Sequence, residues 1–332
     1  GDLDKLSYEN YPTPQIAADE VLVEVKAISL NHLDLWVRQG LPNLKLNMPH
    51  ILGSDAAGVV AEVGELVKNV NVGDKVLLAP AWGCGTCEAC LSGNDNYCHG
   101  YKILGEGTQG VYAEYVKVPA ENAFPIPGGL SFEGAAAIPL VYLTAWHMLV
   151  DRAKVQHGED VLILAAGSGV GSAGIQIAKL YGARVIATAS TDAKLQKAKE
   201  LGADELINYN RADFLKEVKR LTNKKGVEIV FEHVGKSTWD KSIKVLTQGG
   251  RLVTCGATTG YGAVTDLRYV FFKELKILGN FMGRKAGLKQ ALKHFPERLK
   301  PVLDKTFPLR DAAKAHKRLL NREQFGKVIL VP

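Results

Sequence analysis

Four of the five cysteines crowd into one short stretch, Cys84, Cys87, Cys90 and Cys98, spaced C-x2-C-x2-C-x7-C. Thiolates at this spacing in a glycine-rich loop suit a tetrahedral Zn²⁺ ion. Four of them close the coordination sphere and leave no position for a reacting water. One structural zinc per chain is therefore expected, holding a loop and doing no chemistry. A cubane iron–sulfur cluster is the rival reading, but the spacing matches neither ferredoxin pattern. Clustered thiols argue for metal over disulfides and for a reducing compartment, the cytoplasm. Cys255, inside RLVTCGA, reads by itself as core.

A second run with chemistry in it is Ala165-Ala166-Gly167-Ser168-Gly169-Val170-Gly171-Ser172-Ala173-Gly174. It follows the strand-like VLILAA and opens a helical pattern. Small residues there let the backbone approach a pyrophosphate, and a helix N-terminus supplies free N–H groups. The plain alternative is an unliganded turn, yet the motif stands in the strand-before, helix-after context it requires. The next strand ends Ile186-Ala187-Thr188-Ala189-Ser190-Thr191, without the acid that an NAD site places there for the ribose 2′-OH. Asp192 comes late and reads as a helix cap. Ser190 and Lys194 suit a 2′-phosphate, so NADP(H) is expected in preference to NAD(H). On spacing alone Lys194 is equally an exposed helix lysine.

These runs need two different frames. Short strand patterns at 21–27, 57–63, 74–79 and 112–118, punctuated by Gly and Pro, predict a compact antiparallel barrel. Residues 130–150 read as helical, with an N-cap at Ser131 and a break at Pro139. After Gly158, six apolar strand patterns alternate with helical ones, which predicts a parallel, doubly wound sheet. The tail reads as one more helix in PLRDAAKAHKRLL and a strand in GKVILVP that returns to the barrel. The expected division is 1–140 with 282–332, carrying the cysteine lobe at about 80–100, and 141–281 for the dinucleotide domain. The 332 residues carry a net charge of +6, with basic residues scattered along helices in no block, which disfavours nucleic acid. No apolar run reaches the ~18–20 residues of a membrane span.

With these motifs in this order, the chain resembles the medium-chain dehydrogenase/reductase superfamily over its whole length. That resemblance implies an α/β protein with a GroES-like antiparallel β-barrel domain and a six-stranded Rossmann sheet. Family alcohol dehydrogenases hold a catalytic zinc through a Cys, a His in a G-H-E run and a distant Cys. Here those runs read Asn31-His32-Leu33-Asp34, Gly53-Ser54-Asp55 and Leu140-Val141-Tyr142-Leu143-Thr144, which offer no thiolate or imidazole at those positions. Asn31 in LNHLDL is similar to the zinc-free quinone and enone reductase branch, in which the Asn lies beside the nicotinamide. The same branch implies that Lys194 and Tyr209 contact the 2′-phosphate. The resemblance further implies cofactor contacts from Thr144, the turn Gly167, Ser168, Gly169, Val170 and Gly171, and from His233, Cys255, Gly256, Asn280, Phe281 and Lys327.

The expected activity is hydride transfer from NADPH to a carbonyl, enone or quinone without catalytic zinc. Asn31 is the group expected to address the nicotinamide or the substrate oxygen, with His32 and Tyr142 as candidate proton donors. Two alternatives remain at this point. One is a zinc alcohol dehydrogenase with unusual ligands such as Asp34, Asp55 or His50. The other is a non-catalytic NADPH-binding protein. The apolar last strand, LKILGNF, would leave a sheet edge, so a homodimer or homotetramer is expected.

Overall fold

The structure is a computed structural model and describes residues 1–42 and 44–332. Two compact units divide the chain, Gly1–Val141 with Arg284–Pro332, and Tyr142–Gly283.

In the first unit, strand β1 (Glu20–Ser29) is the spine. It pairs antiparallel along its whole length with β2 (Asp55–Val63), so that Ser29 lies opposite Asp55. β2 pairs with β3 (Lys75–Leu78), while β4 (Ala81–Trp82) and β5 (Lys102–Ile103) form a separate short ribbon. β6 (Tyr115–Pro119) pairs with the start of β1, and β7 (Ala123–Pro125) pairs with β3. Alternation in VLVEVKA sends Val21, Val23 and Val25 into a core with Ile28, Val60 and Val76. Ala27, Ala57 and Leu77 pack instead with the helix Phe132–Ala136. Ser131 caps that helix, its Oγ accepting from the Gly134 N–H at 3.1 Å, and a new helix starts at Pro139.

The second unit is a sheet of β8 (Asp160–Ile163), β9 (Arg184–Ala189), β10 (Glu205–Asn208), β11 (Val227–Glu232), β12 (Leu246–Thr254) and β13 (Lys276–Gly279). Every pairing is parallel, in the order β10-β9-β8-β11-β12-β13. The order reverses between β8 and β11, which is where doubly wound sheets bind ligands. Leu162, Ile186, Val230 and Leu252 fill the interior, fully buried. Such continuous apolar runs are what a sheet covered on both faces demands.

The chain then returns to the first unit through β14 (Leu303–Pro308), the helix Ala312–Leu320 and β15 (Lys327–Val331). β15 runs antiparallel to β1 at Ile28 and Ser29, as the tail pattern predicts. β14 pairs parallel to β15, so the sheet is not wholly antiparallel and the expectation is corrected there. DKTFP is half-exposed and lacks alternation, so only main-chain pairing marks β14 as a strand. Among the described residues, no helix is long and apolar enough to cross a membrane.

Candidate functional site

The glycine-rich run sits at the switch point, between β8 and the helix Gly169–Leu180. Ala165 turns the chain at φ +47°, a left-handed conformation rare outside glycine. Ser168 caps the helix, its Oγ accepting from the Gly171 N–H at 2.9 Å. A Cβ on Gly171 would stand 2.5 Å from the Ala165 carbonyl oxygen, so only glycine closes this turn. A Cβ on Gly174 would press to 3.2 Å on the Phe231 ring of β11. Gly174 therefore serves close helix–sheet packing, the usual work of the third glycine in such a motif. The turn thus has the backbone geometry and dipole to receive a pyrophosphate. Two oxygens elsewhere in this unit, Thr144 Oγ1 and Asn280 Oδ1, are buried without a hydrogen-bond partner among the described residues. Open acceptors of this kind suit a ligand that brings its own donors.

Residues after β11 and β12 line up less simply with the expectation. The His233 Nε2 lies 2.9 Å from the Leu164 carbonyl oxygen and 3.5 Å from Ser168 Oγ. Burial lowers its pKa, so the neutral ring donates to Leu164 and ties the exits of β8 and β11 together. Cys255 lies just past β12, its thiol pushed up to about 12 by burial, which makes it no nucleophile. The Thr254 hydroxyl donates to the Gly256 carbonyl, and the Asn280 amide to the Met282 carbonyl. Phe281 is exposed. The sequence reading missed Glu232, a fully buried carboxylate ending β11. It accepts from the Val234 and Gly235 N–H groups at 2.6 and 3.0 Å, and from the Thr238 and Ser242 hydroxyls at 2.9 and 2.7 Å. An acid closing an otherwise apolar strand, VEIVFE, is the signal that could have found it.

At the exit of β9, Ser190 is half-buried and its carbonyl accepts from Asn210. Thr191, not Asp192, is the N-cap of the helix Asp192–Glu200, accepting from the Lys194 N–H at 3.3 Å. Asp192 is held by Asn208 and Arg211 at 2.7 and 2.6 Å. Lys194 is half-buried and Tyr209 is exposed.

In the first unit, the sulfurs of Cys84, Cys87, Cys90 and Cys98 all lie within 4.8 Å of one another. Tetrahedral Zn–S bonds of ~2.3 Å bring sulfurs to roughly 3.8 Å, so the cluster matches a closed zinc site. Backbone N–H groups already point at the sulfurs, Cys87 at Cys84 Sγ and both Cys84 and Gly100 at Cys98 Sγ, each at 3.3 Å. Donors from Thr86 and Cys87 bring the Cys84 thiol down to about 6. These residues fit zinc in a structural role.

The same unit holds a buried polar cluster at one end of β1. The Lys327 ammonium, 3% exposed, donates to Asn31 Oδ1 at 2.5 Å and to Asp55 Oδ2 at 3.2 Å. Asn31 Nδ2 donates to the same Asp55 oxygen at 3.0 Å, and the Leu140 N–H donates to the other at 2.9 Å. Burial raises the Asp55 pKa and lowers that of Lys327, and their mutual attraction opposes both shifts. Sheet register explains the meeting. Ser29 opposite Asp55 and Ile329 opposite Ser29 bring three distant segments together just before Asn31. Asp34 Oδ2 accepts from the Asn31 N–H and the Tyr112 hydroxyl at 3.0 and 2.9 Å, and Tyr112 also meets His316 Nε2 at 3.1 Å. Burial pushes Asp34 up to about 7 and His316 down to about 4.

Tyr142 is 1% exposed and its hydroxyl accepts from Gln176 at 2.8 Å, so it belongs to the core and is withdrawn as a proton donor. Lys327, expected at the cofactor, is engaged within its own unit by Asn31 and Asp55. His50, named above as an unusual zinc ligand, has its Nε2 at 3.0 Å from the Gly105 carbonyl oxygen. His32 stays half-buried at the start of the helix His32–Gln39, its ring 6.1 Å from Trp36.

Residues 17–128 match the alcohol dehydrogenase GroES-like domain, and 169–297 match the zinc-binding dehydrogenase family. The chain is 34% identical over 328 residues to acryloyl-coenzyme A reductase of Sulfurisphaera tokodaii, covering 98% of this chain and 96% of that protein. It is 30% identical to quinone oxidoreductase 1 of Escherichia coli, covering 95% and 92%. A solved structure of an NAD-dependent alcohol dehydrogenase superimposes with a TM-score of 0.97 at 49% identity, covering 100% and 97%.

Proposed function

The chain belongs to the medium-chain dehydrogenase/reductase superfamily of oxidoreductases, and from that premise we propose an NADPH-dependent reductase of electron-poor C=C or C=O bonds that works without catalytic zinc. The observation that carries this reading is the Lys327 ammonium bonded to Asn31 and Asp55. A fixed cation in contact with the carboxylate opposes a second, divalent one, and Asn31 and Ser54 are poor zinc donors. Asp34 and His50, the other oxygen and nitrogen donors considered, are engaged by Tyr112 and Gly105.

NADPH, when bound, supplies the hydride. The turn at Gly167 to Gly171 would hold its pyrophosphate, and Ser190, Lys194 and Tyr209 would hold the 2′-phosphate. Asn31 donates an amide N–H to the substrate oxygen or the nicotinamide carboxamide. One proton is then needed to complete the reduction, and His32 is the remaining candidate that would deliver it. The acryloyl-coenzyme A reductase and quinone oxidoreductase among the relatives support an enone-like or quinone acceptor. One zinc in the four-cysteine lobe and a cytoplasmic location belong to the same proposal. So does a homodimer or homotetramer, since the edge strand β13 and its surroundings expose Ile277, Phe271 and Phe272.

A second reading, an NAD-linked alcohol dehydrogenase, is favoured by the 49% identical structure. The deciding experiment measures nicotinamide oxidation at 340 nm with quinones, enoyl thioesters and aldehydes, for NADPH and NADH, beside zinc content. NADPH-preferring turnover with one zinc per chain is expected. Alcohol oxidation with NAD, two zincs per chain and loss of activity to chelator would establish the second reading instead.

A further inference from the structure

Asn31 carries the proposed chemistry, and a primary amide can sit in its slot in two orientations related by a flip. What chooses between them is on hand in the cluster itself. An ammonium has donors and no acceptor, and an ionised carboxylate has acceptors and no donor. Lys327 Nζ at 2.5 Å therefore demands the amide oxygen, and Asp55 Oδ2 at 3.0 Å demands the amide N–H. A flipped amide would set NH₂ against ammonium and oxygen against carboxylate, losing both bonds at once.

The ring these atoms close says more. Asp55 Oδ2 also lies 3.2 Å from Lys327 Nζ, on the side of the amide where Oδ1 lies. The Nδ2 hydrogen used by Asp55 is thus the one cis to Oδ1. The other, trans hydrogen is left over and points away from the ion pair.

We propose that Lys327 and Asp55 are positioning residues that lock the Asn31 side chain in the one orientation that presents its trans N–H to an acceptor oxygen of the substrate. The inference rests on the reductase reading above and adds to it the part that fixes the donor. Lys327 acts through Asn31, to which its ammonium is bonded. The Leu140 N–H on Asp55 Oδ1 holds the carboxylate still while it does so. A side chain buried in this way needs no reorientation during the reaction, which is the value of a preorganised donor.

The test is the charge-neutral pair Asp55→Asn/Lys327→Met. Asn at 55 keeps an oxygen for the Leu140 N–H and turns its own NH₂ toward Asn31, which then flips to present oxygen. NADPH oxidation is followed with 1,4-benzoquinone and with an enoyl thioester as probes. Wild-type turnover of neither probe would remove the reductase reading before this inference is reached. Given wild-type turnover, the pair variant should lose kcat by about 10²-fold, the effect of losing one preorganised donor. Its NADPH Kd, read by nicotinamide fluorescence, should stay within about threefold. Adding Asn31→Ala to the pair should cost little more, because both changes remove one device.

Lys327→Arg, which keeps a cation and N–H donors, should recover kcat to within about tenfold of wild type. This arm stands even where the neutral pair does not fold, since Lys327→Gln and Lys327→Met can then be ranked against it by donor capacity. Three results would overturn the inference: unchanged kcat in the folded pair, losses that add fully with Asn31→Ala, or a loss confined to NADPH affinity.

Discussion

Lys327 and Asn31 stand 296 positions apart in the chain and one hydrogen bond apart in space. The last strand of the protein thus reaches back to the second residue after the first strand. The ion pair with Asp55 completes the closure. A buried ion pair of this kind is weak ground for stability, because desolvation offsets the attraction. Its consequence is orientation.

Stability should depend on pH through opposing groups in the same cluster, Asp34 and the likewise raised Asp55 on one side and His316 on the other. Asp34, usually near 3.8, is pushed up to about 7, so the native state favours its neutral form. Its contribution is full below pH ~4 and is lost as pH rises through 7. His316, usually 6.5, is pulled down to about 4, so its contribution is full above 6.5 and is lost as pH falls towards 4. Between 4 and 6.5 the slopes offset. Asp34→Asn should therefore make the protein acid-labile, and His316→Gln should leave it about 3 kcal/mol more stable at pH 4.5 than at pH 8. Denaturant titrations across that range check both signs.

Gly174 and Phe231 should be coupled. Gly174→Ala should cost about 1–2 kcal/mol through contact with the ring, and Phe231→Leu should relieve part of that cost. A double-mutant cycle on unfolding free energies measures the coupling.

The cysteine lobe should release one zinc per chain when its thiols are modified, read with a chromogenic chelator. Cys98→Ser should lose the ion and lower Tm, while Cys255→Ser should leave metal content unchanged.

On the proposed cofactor preference, Lys194→Ala should lower kcat/KM with NADPH by about 10–100-fold, the cost of a charge-assisted hydrogen bond. The same constant with NADH should hold.

Ile277→Lys, placed on the exposed edge strand β13, should shift sedimentation from the oligomer to the monomer. Equal sedimentation of both proteins would refute assembly through that edge.

Features settled within a few residues are legible in the amino-acid order itself. The cysteine spacing confines four sulfurs to one loop, and the glycine run follows its strand and opens its helix directly. Apolar runs alternating with helical patterns already imply parallel strands, since each crossover needs a helix of its own. Ser131 announces a cap because capping is settled within three residues.

What tertiary structure alone decided is who meets whom. Tyr142 could equally have faced a ligand or the core, and the packing of Gln176 chose the core. Glu232 took its meaning from a loop and a helix folding back on it. Lys327, expected at the cofactor, took its actual partners when register with β1 set it against Asn31 and Asp55. Local patterns dictate backbone conformation because its hydrogen bonds and caps close over a few residues. The partners of the Lys327 charge lie 296 and 272 positions away in the chain, and only packing selects them.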